Sequence, residues 1–233
     1  MQGYIIWTQS QKNEDLIVRV LTSEEIKTLY RFYGARHSIV HIGRKIDFIQ
    51  ESNGVFMPKL RQVLHVGFKW ERDVARVYVW QRFMELLHYH LRDIFALDAR
   101  YMEILDEGAK RLEVQNPKRV ALEMYAKILH HEGRNPLTMR CLICEQYLDK
   151  EPLPSTLDSD MLASKSPESK AVESIDKNME IAILRGFLSA HKVCASGQIL
   201  TYAKLESYLS SASTIELSDD EVERAYQVLL LGM

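Results

Sequence analysis

The stretch IVHIGRKIDFI, residues 39–49, decides how the N-terminal third is read. Val40, Ile42, Ile46 and Phe48 fall on one parity, and His41, Gly43, Lys45 and Asp47 on the other. Alternation of this kind is the pattern of a half-buried β-strand. Working outward, similar short runs precede it: YIIWTQ (4–9), DLIVRVLT (15–22) and KTLYRFY (27–33). One follows it, KLRQVLHV (59–66). Polar and glycine-containing segments punctuate them. Five short strands within the first 68 residues predict a small antiparallel barrel, and the five-stranded OB-type barrel is the commonest solution of that size.

The period changes near Trp70. Trp70, Val74, Val77, Met84, Leu87, Leu91 and Ile94 recur at helical spacing. A second helix is expected over about Asp98 to Leu112. A third begins after Pro117, a favoured first-turn residue, and stops before Gly133 and Pro136. Two more are expected near the C-terminus, TYAKLESYL (201–209) and SDDEVERAYQVLLLG (218–232). Ser218 stands as N-cap of the latter, with Glu221 at the capping-box position. Between them and the third helix, residues 150–177 are rich in Ser, Pro and acid and lack any period. They read as a flexible acidic insertion. The fold expected is thus α+β and multidomain. A barrel over residues 1–68 precedes a helical domain over 69–233, with a zinc-binding module (141–197) embedded in it and interrupted by the insertion.

Charge is segregated along the chain. Residues 1–80 hold twelve Lys/Arg against eight Asp/Glu, a net of +4. Residues 145–178 hold four Lys against eight Asp/Glu, a net of −4. Within the basic part, YRFYGARH (30–37) and GRK (43–45) interleave Tyr30, Phe32 and Tyr33 with Arg31, Arg36, His37, Arg44 and Lys45. Aromatic faces stack on bases and cations neutralise phosphates, the usual chemistry of single-strand binding. Strand alternation puts Tyr30 and Phe32 on one face, read as barrel core, and Arg31 and Tyr33 on the other. A core strand with ordinary solvated charges explains the same pattern, since a bias of this size is modest.

Three cysteines cannot make a disulfide framework, and the count favours a reducing compartment. The N-terminus has no basic, apolar leader pattern, and no run approaches the roughly 20 apolar residues of a membrane span. A cytoplasmic location is expected. Cys141 and Cys144 form a CxxC, and His191 and Cys194 an HxxC. Three thiolates and an imidazole in two closely spaced pairs suit one structural, tetrahedral zinc ion, with Gly197 providing a turn after the second pair. Unpaired structural cysteines are the plain alternative. A redox pair is disfavoured, because no thioredoxin-like βαβ pattern surrounds the CxxC. His88, His90, His130 and His131 sit at spacings that diverge around a helix and read as surface or partly buried residues. No nucleophile triad, phosphate loop or HExxH stands out, which lowers the prior for an enzyme. A closed four-ligand site also argues against a metal-dependent hydrolase.

Taken in order, these parts resemble the bacterial RecO recombination mediators. The resemblance is carried by MQGYIIWTQSQKNEDLIVRVLT (1–22), KTLYRFYGARHS (27–38) and GRKIDF (43–48). It continues through LHVGF.WER and LEMYA to CLIC and RGFLSAH..C. The resemblance is closest to the short, divergent branch of the family. It implies a non-enzymatic DNA repair protein that binds single- and double-stranded DNA and anneals complementary strands. With RecR, and in some settings RecF, it would help load RecA onto DNA coated by single-stranded DNA-binding protein. Carried over as phosphate contacts are Arg31, Arg36, Arg44 and Lys45, with Tyr33 as a stacking residue and Lys12 and Arg19 as further contacts. Cys141, Cys144, His191 and Cys194 match the position of the family's zinc module, although relatives commonly use two CxxC pairs. The competing class is a zinc-stabilised adaptor whose barrel binds protein partners without significant DNA affinity.

Overall fold

The structure is a computed structural model that describes residues 1–36, 39–94, 96–150 and 177–233. His37 and residues 151–176 of the acidic insertion lie outside the described residues. The chain divides into two compact units, Met1–Arg134 with Leu230–Met233, and Asn135–Leu229.

In the first unit, five strands close into a barrel. They are β1 (Gln2–Ser10), β2 (Leu16–Leu21), β3 (Ile26–Arg31), β4 (Lys45–Glu51) and β5 (Lys59–His65), in the order β1-β2-β3-β5-β4. All neighbours are antiparallel except β3 and β5, which pair in parallel at Tyr30 and Lys59. This is the OB-type arrangement expected. Its interior holds Ile5, Leu16, Val18, Val20, Leu29, Val40, Ile46, Phe48 and Leu60.

The fourth strand is shorter than its alternation suggests. Residues 39–44 form turns, and Gly43 has φ +88°. A Cβ there would come within 2.7 Å of the Trp80 ring. Val40 reaches the barrel core from this turn, so apolar parity continued past the end of the strand.

Three helices follow: α1 (Val74–His90), α2 (Ala99–Arg111) and α3 (Pro117–His131). A one-turn 3-10 helix, Lys69–Arg72, comes before α1. Asp73 caps α1 by accepting from the backbone N–H of Ala75 and Arg76. Helical spacing therefore began one turn before the α-helix, and Val74 is exposed. Asp98 and Asn116 cap α2 and α3 in the same way.

The barrel and these helices share one core. β1 is buried on both faces, with Ile5 inside the barrel and Tyr4 turned toward the helices. Tyr4 meets Trp80 edge-on at 5.7 Å. The Trp80 indole donates to the Gly43 carbonyl at 2.8 Å, and the Trp70 indole to Ala109 at 2.7 Å. Such buried N–H groups need these acceptors.

His88 of α1, read from the sequence as a surface or partly buried residue, is buried. Its ring stacks on Trp7 at 5.2 Å and its Nδ1 lies 3.2 Å from Arg19. Burial, then the charges of Arg19 and Arg92, lower its pKa to about 4. The unfolded value is near 6.5, so between pH 6.5 and 4 the unfolded chain takes up a proton that the folded chain refuses. Stability is fully present above that window and should fall as pH drops through it. Thermal melts from pH 7 to 4.5 are expected to show this, with a shallower slope in His88→Phe. Equal slopes in both proteins would remove His88 from the effect.

The second unit is not purely helical. β6 (Glu180–Ile183), β7 (Ser189–Ala190) and β8 (Gln198–Thr201) form an antiparallel sheet in the order β7-β6-β8. Two helices follow, α4 (Tyr202–Ser211) and α5 (Asp219–Leu230). Ser218 and Glu221 form the expected capping box, at 2.9 and 3.3 Å.

Candidate functional site

Two constellations stand out, one at an end of the barrel and one in the second unit. The first is built by strand ends. Asp15, buried where β2 begins, accepts from the Tyr30 hydroxyl at 2.5 Å and from the Tyr33 backbone N–H at 2.6 Å. That anchors a turn in which Tyr33 takes φ +49° and leaves its ring half exposed. Arg36 lies over the Tyr33 ring at 5.1 Å and pairs with Glu14.

Phe32 corrects the parity argument. It lies beyond the end of β3, is 40% exposed, and touches Tyr30 edge-on at 5.0 Å. Lys59 and Arg61 of β5 sit over its ring at 5.6 and 5.8 Å. Arg61 also pairs with the exposed Glu51. Arg31 donates to the Leu60 carbonyl at 3.0 Å. Burial and then the adjacent Arg61 charge lower the Arg31 pKa. Like charges held this close are relieved by an anion. Lys12 is exposed in the one-turn helix joining β1 to β2, beside this turn. The barrel end thus gathers Lys12, Arg31, Tyr33 and Arg36, and adds Phe32, Lys59 and Arg61. Sequence alternation hid Phe32. Lys59 and Arg61 were missed because KLRQVLHV carries no aromatic to single it out, and the parallel β3–β5 pairing is non-local.

Three predicted contacts lie elsewhere. Arg19 faces α1, donating to the Arg92 carbonyl at 3.2 Å and meeting His88. Arg44 pairs with Glu71 and lies 3.2 Å from His65 Nε2. Lys45 is buried; its ammonium donates to Asp106 at 2.6 Å and lies over the Tyr4 ring at 5.5 Å. That leaves the Lys45 side chain 11% exposed.

The second constellation is Cys141, Cys144, His191 and Cys194, whose donor atoms all lie within 4.8 Å of one another. Two backbone turns build it. In one, Glu145 N–H donates to the Cys141 carbonyl at 3.0 Å, with Glu145 at φ +60°. In the other, Cys194 N–H donates to the His191 carbonyl at 3.0 Å. Leu142 N–H to the Ser189 carbonyl, 3.0 Å, ties the first turn to the sheet. Gly197 works by close approach: a Cβ would lie 2.7 Å from the Ile183 carbonyl oxygen.

The donor set suits a metal. The Cys141 sulfur accepts from the N–H groups of Ile143 and His191, both at 3.4 Å. Burial pushes the Cys141 thiol up, but backbone donors from Cys144, His191 and Ile143 outweigh it and bring it to about 6. Burial and the neighbouring Cys144 and Cys141 push Cys194 up to about 11. A cation at the centre would relieve that crowding of sulfurs. His191 Nε2 lies 3.1 Å from the Tyr147 carbonyl and can only donate to it. That leaves the Nδ1 lone pair facing Cys144 and Cys194, at 3.3 and 3.6 Å. These four residues can hold a metal ion, each offering one donor atom.

Fold and site together define a class: an OB-type barrel protein with appended helices and a Cys3His cluster. Residues 1–71 match the family model described as RecO N terminal. No curated protein matches the chain. Residues 1–71 are thus similar to the N-terminal domain of RecO proteins. Among the described residues, no helix is long and apolar enough to cross a membrane.

Proposed function

We propose that this protein binds single-stranded DNA on the barrel end around Phe32 and acts in DNA repair and recombination as a mediator and annealing factor. The observation that carries the reading is the half-exposed Phe32 with Lys59 and Arg61 near its ring, and Tyr33 with Arg36 over its own. An exposed ring offers a stacking face for any base, and the cations neutralise the flanking phosphates. No bond-making residue is needed. Screening the repulsion between two phosphate backbones lets complementary strands pair. The family further suggests RecR, RecA and single-stranded DNA-binding protein as partners, with double-stranded DNA as a second substrate. In the same reading the Cys3His cluster holds one zinc ion that supports folding only.

Fluorescence anisotropy with a labelled oligothymidine across a salt series tests this. Affinity should fall steeply with salt, by a slope of about 0.7 per neutralised phosphate. Phe32→Ala should weaken binding by about 5- to 150-fold, the worth of one stacked base. Lys59→Ala and Arg61→Ala should each reduce the slope by about 0.7. Weak binding with no salt dependence would favour the protein-binding adaptor. Annealing on DNA pre-coated with single-stranded DNA-binding protein, with and without RecR, addresses the mediator step.

A further inference from the structure

At the other end of β5 a cavity of about 750 Å³ is lined by Arg44, His65, Gly67, Phe68, Lys69, Glu71 and Arg72. We propose that it is a second, separate site for a phosphate group, borne either by a nucleic-acid backbone or by a small phosphate ligand.

Four observations carry this. First, the cavity has a preformed polar floor. The Glu71 side chain is only 9% exposed, pairs with Arg44 and lies 3.0 Å from His65 Nε2. Arg44 is therefore held in place before any ligand arrives, and its planar guanidinium keeps further N–H donors for a tetrahedral oxyanion. Second, the rim cations are uncommitted. The side chains of Lys69 and Arg72 are exposed and make no ion pair or hydrogen bond among the described residues. Arg44, Lys69 and Arg72 against Glu71 leave a surplus of two positive charges with His65 neutral, matching one phosphate dianion or two phosphodiesters. Third, the volume lies within the range of sites that hold a nucleotide-sized ligand, and Phe68, stacked on Trp70 at 5.7 Å, supplies an apolar wall. Fourth, position matters. From Lys59 to His65 a strand rises about 20 Å, so the cavity and the Phe32 cluster lie at opposite ends of one strand. A single strand lying along β5 would meet cations at both ends.

Only the backbone source rests on the DNA-binding reading. The experiment uses the full chain and the double variant Lys69→Ala/Arg72→Ala, whose exposed side chains leave the core untouched. Inorganic phosphate is titrated while the imidazole resonances of His65 are followed by NMR. In parallel, oligothymidine binding is measured across a salt series. The expected result is a saturable His65 shift in the wild type, lost in the variant, together with a salt slope lower by about 1.4, two phosphates at 0.7 each. A phosphate response without a slope change supports the site and assigns it to a small ligand. A slope change without a phosphate response supports it and assigns it to the polymer. If phosphate leaves His65 unmoved and both proteins show the same slope, or neither binds DNA, the proposal is overturned. If, in addition, DNA binding is lost in Phe32→Ala but unchanged in the double variant, and phosphate leaves His65 unmoved, the DNA-binding reading stands without this site.

Discussion

Cys141→Ser is expected to release the metal and unfold the second unit. Cys141 is 1% exposed, and its sulfur is the acceptor that both turns share, through Ile143 and His191. The cluster ties residues 141–144 to residues 191–194, segments some fifty positions apart. Closing so long a loop costs entropy that the metal bonds offset. Metal binding of this type contributes about 10–16 kcal/mol of apparent folding free energy in small zinc domains. Losing one of four ligands should therefore exceed what a unit of this size can spare. Metal analysis should read about one ion per chain in the wild type and none in the variant. Hydrogen exchange should show residues 135–150 and 177–229 losing protection while β1–β5 keep theirs, and a strong chelator should reproduce the pattern. His191→Cys, which keeps four ligands, should retain the metal. A Cys141→Ser protein with unchanged metal content and unchanged protection would refute the metal staple outright.

This cluster was legible from spacing alone, because a CxxC and an HxxC each chelate from a local turn. The sheet that presents it was not. EIAI in β6 is four residues long and becomes a strand only by pairing with β7 and β8. Local signals translated well: the Ser218 cap and the first-turn Pro117 stand where the sequence placed them. Two features were hidden from the sequence. Parity was carried through the turn before Lys45, because Val40 is apolar for reasons of burial without being in a strand. The ion pairs of Arg44 and Lys45 were not legible, because Glu71 and Asp106 lie 27 and 61 residues from them. Charge composition reports how many cations a segment has. Only tertiary contacts report which remain free to meet a ligand.

Lys45 makes that distinction testable, and Asp106→Ala is the variant expected to expose it. The Asp106 carboxylate on α2 accepts from Lys45 at 2.6 Å and from Tyr4 at 2.7 Å, joining the first residue of β4 and the middle of β1 to the helices. The Lys45 side chain is 11% exposed and Tyr4 is fully buried. Burial, with the nearby Asp106 charge and the hydrogen bond to it, pushes the Tyr4 pKa up, so its hydroxyl stays protonated and donates. Removing the carboxylate strands an ammonium and a hydroxyl in an enclosed site, where a lone buried charge costs several kcal/mol. Asp106 is itself one-third exposed, so water relieves part of this. Urea denaturation should therefore show a loss of about 3 kcal/mol. The double variant Lys45→Met/Asp106→Leu should recover most of it, since apolar replacements of a buried pair are often neutral. If Lys45 is spent on Asp106, Lys45→Met should leave the salt slope of DNA binding unchanged, whereas Arg61→Ala lowers it. A slope lowered by about 0.7 in Lys45→Met would return Lys45 to the phosphate contacts. Additive losses in Asp106→Ala and Lys45→Ala would show that the two residues do not act as a pair.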